Sequence, residues 1–200
     1  DLFQPYVGAG VKIEKVNYAP GRDNLVVTIG NGGKVLGYSG HMDVVAPGDL
    51  AAWDTDPFEP VVKDDKLYGR GACDMKSGLA ALVVALLEML EKGQQPAGTI
   101  KLLATVGEET GNYGAAQLTK LGYADDLDGL VIAEPQDDLQ AITYACKGDI
   151  AYHVTSVGKA AHSSRPEMGI NAIDNLLEFV QQAKAALAKF DHSDPALGKL

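Results

Sequence analysis

Four groups of acid and imidazole side chains stand out along the chain: His41-Met42-Asp43, Asp74, Glu108-Glu109 and Glu134. Each follows a short apolar stretch that reads as a strand: Lys34–Tyr38 before the first, Lys66–Tyr68 before Asp74, Thr99–Val106 before the glutamates and Gly129–Ala133 before Glu134. Taken singly, each has an ordinary structural use. A histidine can be a hydrogen-bonded core residue, Asp43 a turn residue, Asp74 a helix N-cap, Glu108-Glu109 a solvated acidic turn, and Glu134 before Pro135 the end of a strand. Taken together they point elsewhere, because ligands of open α/β sheets bind at the carboxyl ends of strands. Carboxylates gathered there raise one another's pKa unless a cation sits among them. Imidazole and carboxylate donors suit Zn²⁺ and its divalent neighbours.

The elements that must position these groups alternate between periods of two and of three to four. Asn24–Ile29 and Lys34–Tyr38 predict two strands joined as a hairpin by Gly30-Asn31-Gly32-Gly33, where Asn-Gly tolerates positive φ. Leu79–Leu90 is apolar nearly all round and predicts a buried helix ending at Lys92-Gly93. Tyr113–Leu121 predicts a short helix stopped by Gly122, and Gly129–Ala133 a buried strand. Strands separated by helices predict an α/β layered domain. From Ile150 the texture changes. Ile150–Val157 alternates like a half-exposed antiparallel strand, and Ile173, Leu176, Leu177, Val180, Leu187 and Phe190 form the stripe of a long amphipathic helix. A boundary near Gly148 divides the chain into a catalytic domain, 1–147, and the start of a second domain, 148–200.

Composition narrows the function. The 200 residues carry 17 Lys+Arg against 27 Asp+Glu, a net charge of −10, which disfavours a nucleic-acid partner. The longest apolar run, Leu79–Leu87, is far below the ~20 residues of a bilayer span, so no membrane partner is expected. Two cysteines, Cys73 and Cys146, are too few for a disulfide framework, and a cytoplasmic location is expected. No Gly-x-Ser-x-Gly elbow occurs, and neither cysteine has a histidine nearby in sequence, which argues against a serine or cysteine hydrolase.

The order of these motifs resembles the metal-dependent aminoacylase, carboxypeptidase G and acetylornithine deacetylase/succinyl-diaminopimelate desuccinylase family of dinuclear zinc amidohydrolases. The stretch from His41 to Asp49, then Trp53, Pro57-Phe58-Glu59-Pro60 and Leu67-Tyr68-Gly69-Arg70-Gly71, looks most like the desuccinylase-type branch. The resemblance implies a zinc-exopeptidase-like layered catalytic domain with a mixed sheet, followed by a smaller α+β lid and dimerisation domain. It implies two divalent metal ions, zinc first and cobalt as the alternative. His41 and Glu134 would bind one, Glu109 the other, and Asp74 would bridge them. Asp43 would orient His41, the Asp74–Met75 peptide would be cis, and Glu108 would be the general base. His162, in Gly158–Pro166, would donate to the oxyanion across a homodimer interface, with Lys159 and Arg165 as contacts for a substrate carboxylate.

The implied reaction is metal-dependent hydrolysis of the amide bond of an N-acyl amino acid, through a metal-bridging hydroxide generated with Glu108. A dipeptidase or carboxypeptidase of the same family, or an inactive binding or dimerisation module, is the alternative. The family's further His ligand and substrate-binding Arg have no counterpart before Leu200. The chain is therefore expected to correspond to the front half of a family member and, by itself, to hold metal weakly.

Overall fold

The structure, a computed structural model, describes residues 1–136, 142–148 and 150–199. The chain divides into two compact units, Asp1–Asp137 and Asp138–Leu200.

In the first unit a five-stranded mixed sheet runs in the order β1-β2-β6-β3-β7. Its strands are β1 (Val11–Ala19), β2 (Arg22–Gly30), β3 (Val35–His41), β6 (Thr99–Thr105) and β7 (Gly129–Ile132). A separate two-stranded ribbon comprises β4 (Val61–Lys63) and β5 (Lys66–Tyr68), turned by Asp64 and Asp65. Helices α1 (Lys76–Glu91) and α2 (Tyr113–Lys120) complete the unit. Strands β1, β2 and β6 pair antiparallel, whereas β6, β3 and β7 pair parallel.

Neighbouring residues of the central strands face opposite ways, as the pleat requires. Val27, Ile29 and Leu102 pack with Leu86 and Leu90 of α1, while Val26 and Leu103 pack with Leu118 of α2. The sheet is thus covered on both faces, giving three α/β/α layers. This is the α/β fold with a mixed sheet.

Several local expectations differ from what forms. β2 and β3 do not pair as a hairpin: β6 lies between them and supplies both with hydrogen bonds. The Asn31-Gly32 turn therefore joins strands that are next but one. Helix α1 buries only Leu86 and Leu90 fully, and Val84 on its far side is 52% exposed. β7 is an exposed edge, with Leu130, Val131 and Ile132 open, because a strand needs neighbours on both sides to be hidden. β1 was not legible, since its alternation breaks between Ile13 and Val16.

The second unit carries α3 (Ala172–Leu187), capped by Asn171, whose Oδ1 accepts the N–H of Ile173 at 3.0 Å. Its apolar stripe is exposed, and Phe190 lies beyond its end. Ile150–Val157 forms no strand: no other described segment pairs with it, and a lone extended segment has no ladder to hold it.

Candidate metal centre

The site is assembled at the carboxyl end of the parallel strands. His41 is the last residue of β3 and stands opposite Thr105, the last of β6. Glu108 and Glu109 follow on the turn out of β6. Asp74 precedes α1, and Glu134 follows β7, whose end is tied to β3 by the Ala133 N–H on the Ser39 carbonyl at 3.1 Å.

Two close approaches bring Asp74 inward. A Cβ at Gly78 of α1 would fall 1.8 Å from the Ala133 carbonyl oxygen, so only glycine lets the helix lie against the chain just before Glu134. A Cβ at Gly40 would fall 2.7 Å from Cε of Met75, which is fully buried and whose Sδ accepts the His41 N–H at 2.9 Å. The Asp74–Met75 peptide is cis. Lys76, at the start of α1, donates its ammonium to the Met42 carbonyl.

His41 is 2% exposed and its two ring nitrogens have distinct surroundings. Nδ1 lies 2.9 Å from the backbone carbonyl of Asp43, which can only accept, so the proton of the neutral ring sits on Nδ1. Nε2 then presents a lone pair. It faces Asp74 Oδ1 at 3.1 Å, Glu108 Oε2 at 3.8 Å and Glu134 Oε2 at 3.8 Å. A lone pair aimed at three carboxylates is repulsive unless a proton or a cation lies between them. His41, Asp74 and Glu109 also offer donor atoms within 4.8 Å of one another. The donor set could hold a divalent cation, with one ring nitrogen held by a carbonyl as metal-ligating histidines commonly are.

The acids report the same crowding. Glu134 has its pKa raised, first by loss of water around its carboxyl group, then by a hydrogen bond and charge from Asp74; Glu108 adds to this and His41 opposes it. The side chains of Asp74, Glu108 and Glu134 stay partly open to solvent.

Asp43 sits otherwise than as a simple carboxylate partner of His41. Its carbonyl, not its carboxylate, makes the short contact to the ring; the nearest carboxylate oxygen is 3.7 Å from Nδ1. The carboxylate instead takes the N–H groups of Glu108 and Glu109, each at 3.2 Å. His162 belongs to the second unit, where its Nδ1 accepts the Ser164 N–H at 3.2 Å. Nδ1 also lies 2.9 Å from the Ser164 hydroxyl, which can donate to it, and a neutral ring that accepts at Nδ1 has its proton on Nε2.

Sequence reasoning missed Met75 and Asn24, two fully buried residues that brace the site. A polar asparagine at the head of an apolar strand, disfavoured there by propensity, was the one available signal for Asn24.

Comparison with known proteins adds to this geometry. Residues 37–198 match the pattern of Peptidase family M20/M25/M40. The chain is 50% identical over 194 residues to a probable succinyl-diaminopimelate desuccinylase of Staphylococcus aureus strain MRSA252, covering 97% of this chain and 46% of that protein. It is 36% identical over 163 residues to a succinyl-diaminopimelate desuccinylase of Rhodospirillum centenum, covering 78% and 42%. The chain thus spans about half the length of the curated relatives it matches. Among solved structures, a tripeptidase from Staphylococcus aureus subsp. aureus Mu50 aligns with a TM-score of 0.58 at 25% identity, covering 90% of this chain and 50% of that one. An M20 family metallo-carboxypeptidase from Sulfolobus solfataricus aligns with a TM-score of 0.55 at 27% identity, covering 62% and 28%.

Proposed function

The chain belongs to Peptidase family M20/M25/M40, and on that premise we propose that it carries the metal-binding half of a zinc-dependent amidohydrolase acting on an N-acyl amino acid. The acyl group is succinyl or acetyl, as in a succinyl-diaminopimelate desuccinylase or an acetylornithine deacetylase. The names of the relatives at 50% and 36% identity support this class of substrate. The observation that carries the reading is the His41 ring, with Nδ1 on a carbonyl and Nε2 open toward three carboxylates.

In this reading His41, Asp74 and Glu134 hold one divalent ion, and Asp74 and Glu109 hold a second. The ions are zinc, with cobalt as a working substitute. When bound they supply polarisation of the amide carbonyl and a lower pKa for water. The remaining chemistry belongs to the chain. Glu108 takes a proton from the attacking water on its carboxylate and returns it to the amide nitrogen as the C–N bond breaks. Asp43 sets the backbone from which Glu108 and Glu109 project. His162, with its proton on Nε2, donates to the oxyanion from the second subunit of a homodimer. Lys159 and Arg165 offer cations to a substrate carboxylate.

The catalytic domain spans 1–147 and the lid begins at 148. A cytoplasmic location fits two free cysteines, both exposed, and the absence among the described residues of any helix long and apolar enough to cross a membrane.

The test is hydrolysis by the zinc-loaded full-length protein of N-succinyl-diaminopimelate, N-acetylornithine and dipeptides. Fastest turnover of an N-acyl amino acid is the expected result. Faster turnover of dipeptides would move the assignment to a peptidase, and a folded protein that retains no zinc would make it a binding or dimerisation module.

A further inference from the structure

The ladder between β2 and β6 ends where Leu25 faces Ala104. Val106 lies beyond it, and its N–H finds a side chain in place of a strand: it donates to Oδ1 of Asn24 at 3.0 Å. The Val106 carbonyl accepts the N–H of Gly114 at 2.9 Å. Both polar groups of this residue are thereby engaged just before the chain turns into Glu108.

Asn24 is fully buried and its amide orientation is set from behind. Its Nδ2 donates to Oε1 of Gln117 at 2.8 Å, and Nε2 of Gln117 donates to the Asn17 carbonyl at 2.9 Å. That sequence of bonds leaves Oδ1, and only Oδ1, facing Val106. A Cβ at Gly114 would lie 2.3 Å from Asn24 Oδ1 and 2.4 Å from the Val106 carbonyl oxygen, so α2 has been left bare at the point where the network passes. Burying a polar side chain in a strand costs stability unless every group is satisfied, and here the satisfied network ends on the turn that carries the two glutamates.

We propose that Asn24 is a positioning residue for Glu108 and Glu109, acting through the Val106 N–H. The inference rests on the functional reading above. Asn24 holds the entry to the turn, and Asp43 holds its two central amides. Strand exit and carboxylate clasp together restrain the Glu108–Glu109 backbone at its entry and at its centre.

The test uses the full-length protein and Co²⁺ as the probe, read by its visible absorption and by titration calorimetry, beside turnover of the best acyl substrate. Asn24→Leu keeps the branched outline of the side chain, although it is bulkier, and removes the acceptor. It is expected to weaken Co²⁺ binding by about 10–100-fold, to change the cobalt spectrum and to lower kcat more than it raises KM. Asn24→Asp keeps an oxygen on Val106 but turns a second acceptor toward Gln117, which must give up its bond to the Asn17 carbonyl to donate, so it is expected to recover part of the loss in Co²⁺ affinity. Should Asn24→Leu fail to fold, Asn24→Ser, too short to reach Val106, is measured in its place. A folded variant lacking the acceptor that binds Co²⁺ with the parent's affinity and spectrum overturns the proposal, even if it melts at a lower temperature. A parent protein that binds Co²⁺ but hydrolyses no acyl amino acid would sink the functional reading while the cobalt comparison still decides this one.

Discussion

The carboxylate of Asp43 and the peptide N–H of Glu109 stand 3.2 Å apart, and the other carboxylate oxygen of Asp43 takes the N–H of Glu108 at the same distance. One side chain thus grips two successive amides, while its own backbone carbonyl holds the His41 ring. Both glutamates that follow these amides reach the His41 ring: Glu108 Oε2 lies 3.8 Å from Nε2, and Glu109 shares a group of donor atoms with His41 and Asp74. Asp43 links the imidazole donor to both acids without itself facing the lone pair of Nε2.

This fork needs two acceptors. Asp43→Asn keeps one oxygen and turns an NH₂ group toward an N–H, so it loses more than a charge. The expected result is about a 10–100-fold fall in kcat of the metal-loaded protein, with circular dichroism and the melting profile close to the parent's. Parental turnover by Asp43→Asn would show that the clasp is dispensable.

The raised pKa of Glu134 gives a pH dependence with a definite sign. In the metal-free protein the folded state binds this proton more tightly than the unfolded chain does. The associated stability is present below the ordinary carboxylate pKa and is lost as pH rises through the raised folded value. Melting temperatures in chelator should therefore fall across that window, and Glu134→Gln should flatten the fall. Zinc should restore stability at neutral pH in the parent and less so in Glu134→Gln. A parent whose melting temperature in chelator rises with pH, as it would for an acid held by cations of the protein, runs against this account.

Gly78 makes a prediction about packing. A methyl group there meets a backbone carbonyl, which cannot rotate away. Gly78→Ala should cost about 1–3 kcal/mol by overpacking, and it should push α1, with Asp74 at its head, away from the chain before Glu134. Denaturant unfolding measures the first effect and zinc titration the second. Unchanged zinc affinity in a destabilised variant would separate helix packing from the site.

That His41, Asp74, Glu108, Glu109 and Glu134 come together was legible because strand ends are local signals: an apolar run of period two followed by His or an acid can be read without knowing which strand lies beside which. The sheet order was not. That β6 inserts between β2 and β3, and that β7 is an edge, depends on pairings between segments tens of residues apart, which no local period encodes. The same holds for Asn24, whose partners Val106 and Gln117 are remote in sequence. The cis Asp74–Met75 peptide followed from family resemblance alone. Ile150–Val157 shows the opposite case, a correct alternation with no partner strand among the described residues.

The claim beneath all of this is that the acids around His41 are gathered to hold cations. Crystals of the full-length protein grown with Zn²⁺ and measured at the zinc absorption edge test it directly. The account predicts an anomalous peak about 2.0–2.2 Å from His41 Nε2 and from an Asp74 oxygen. A zinc-bound crystal with no peak between His41, Asp74 and Glu134 would contradict it.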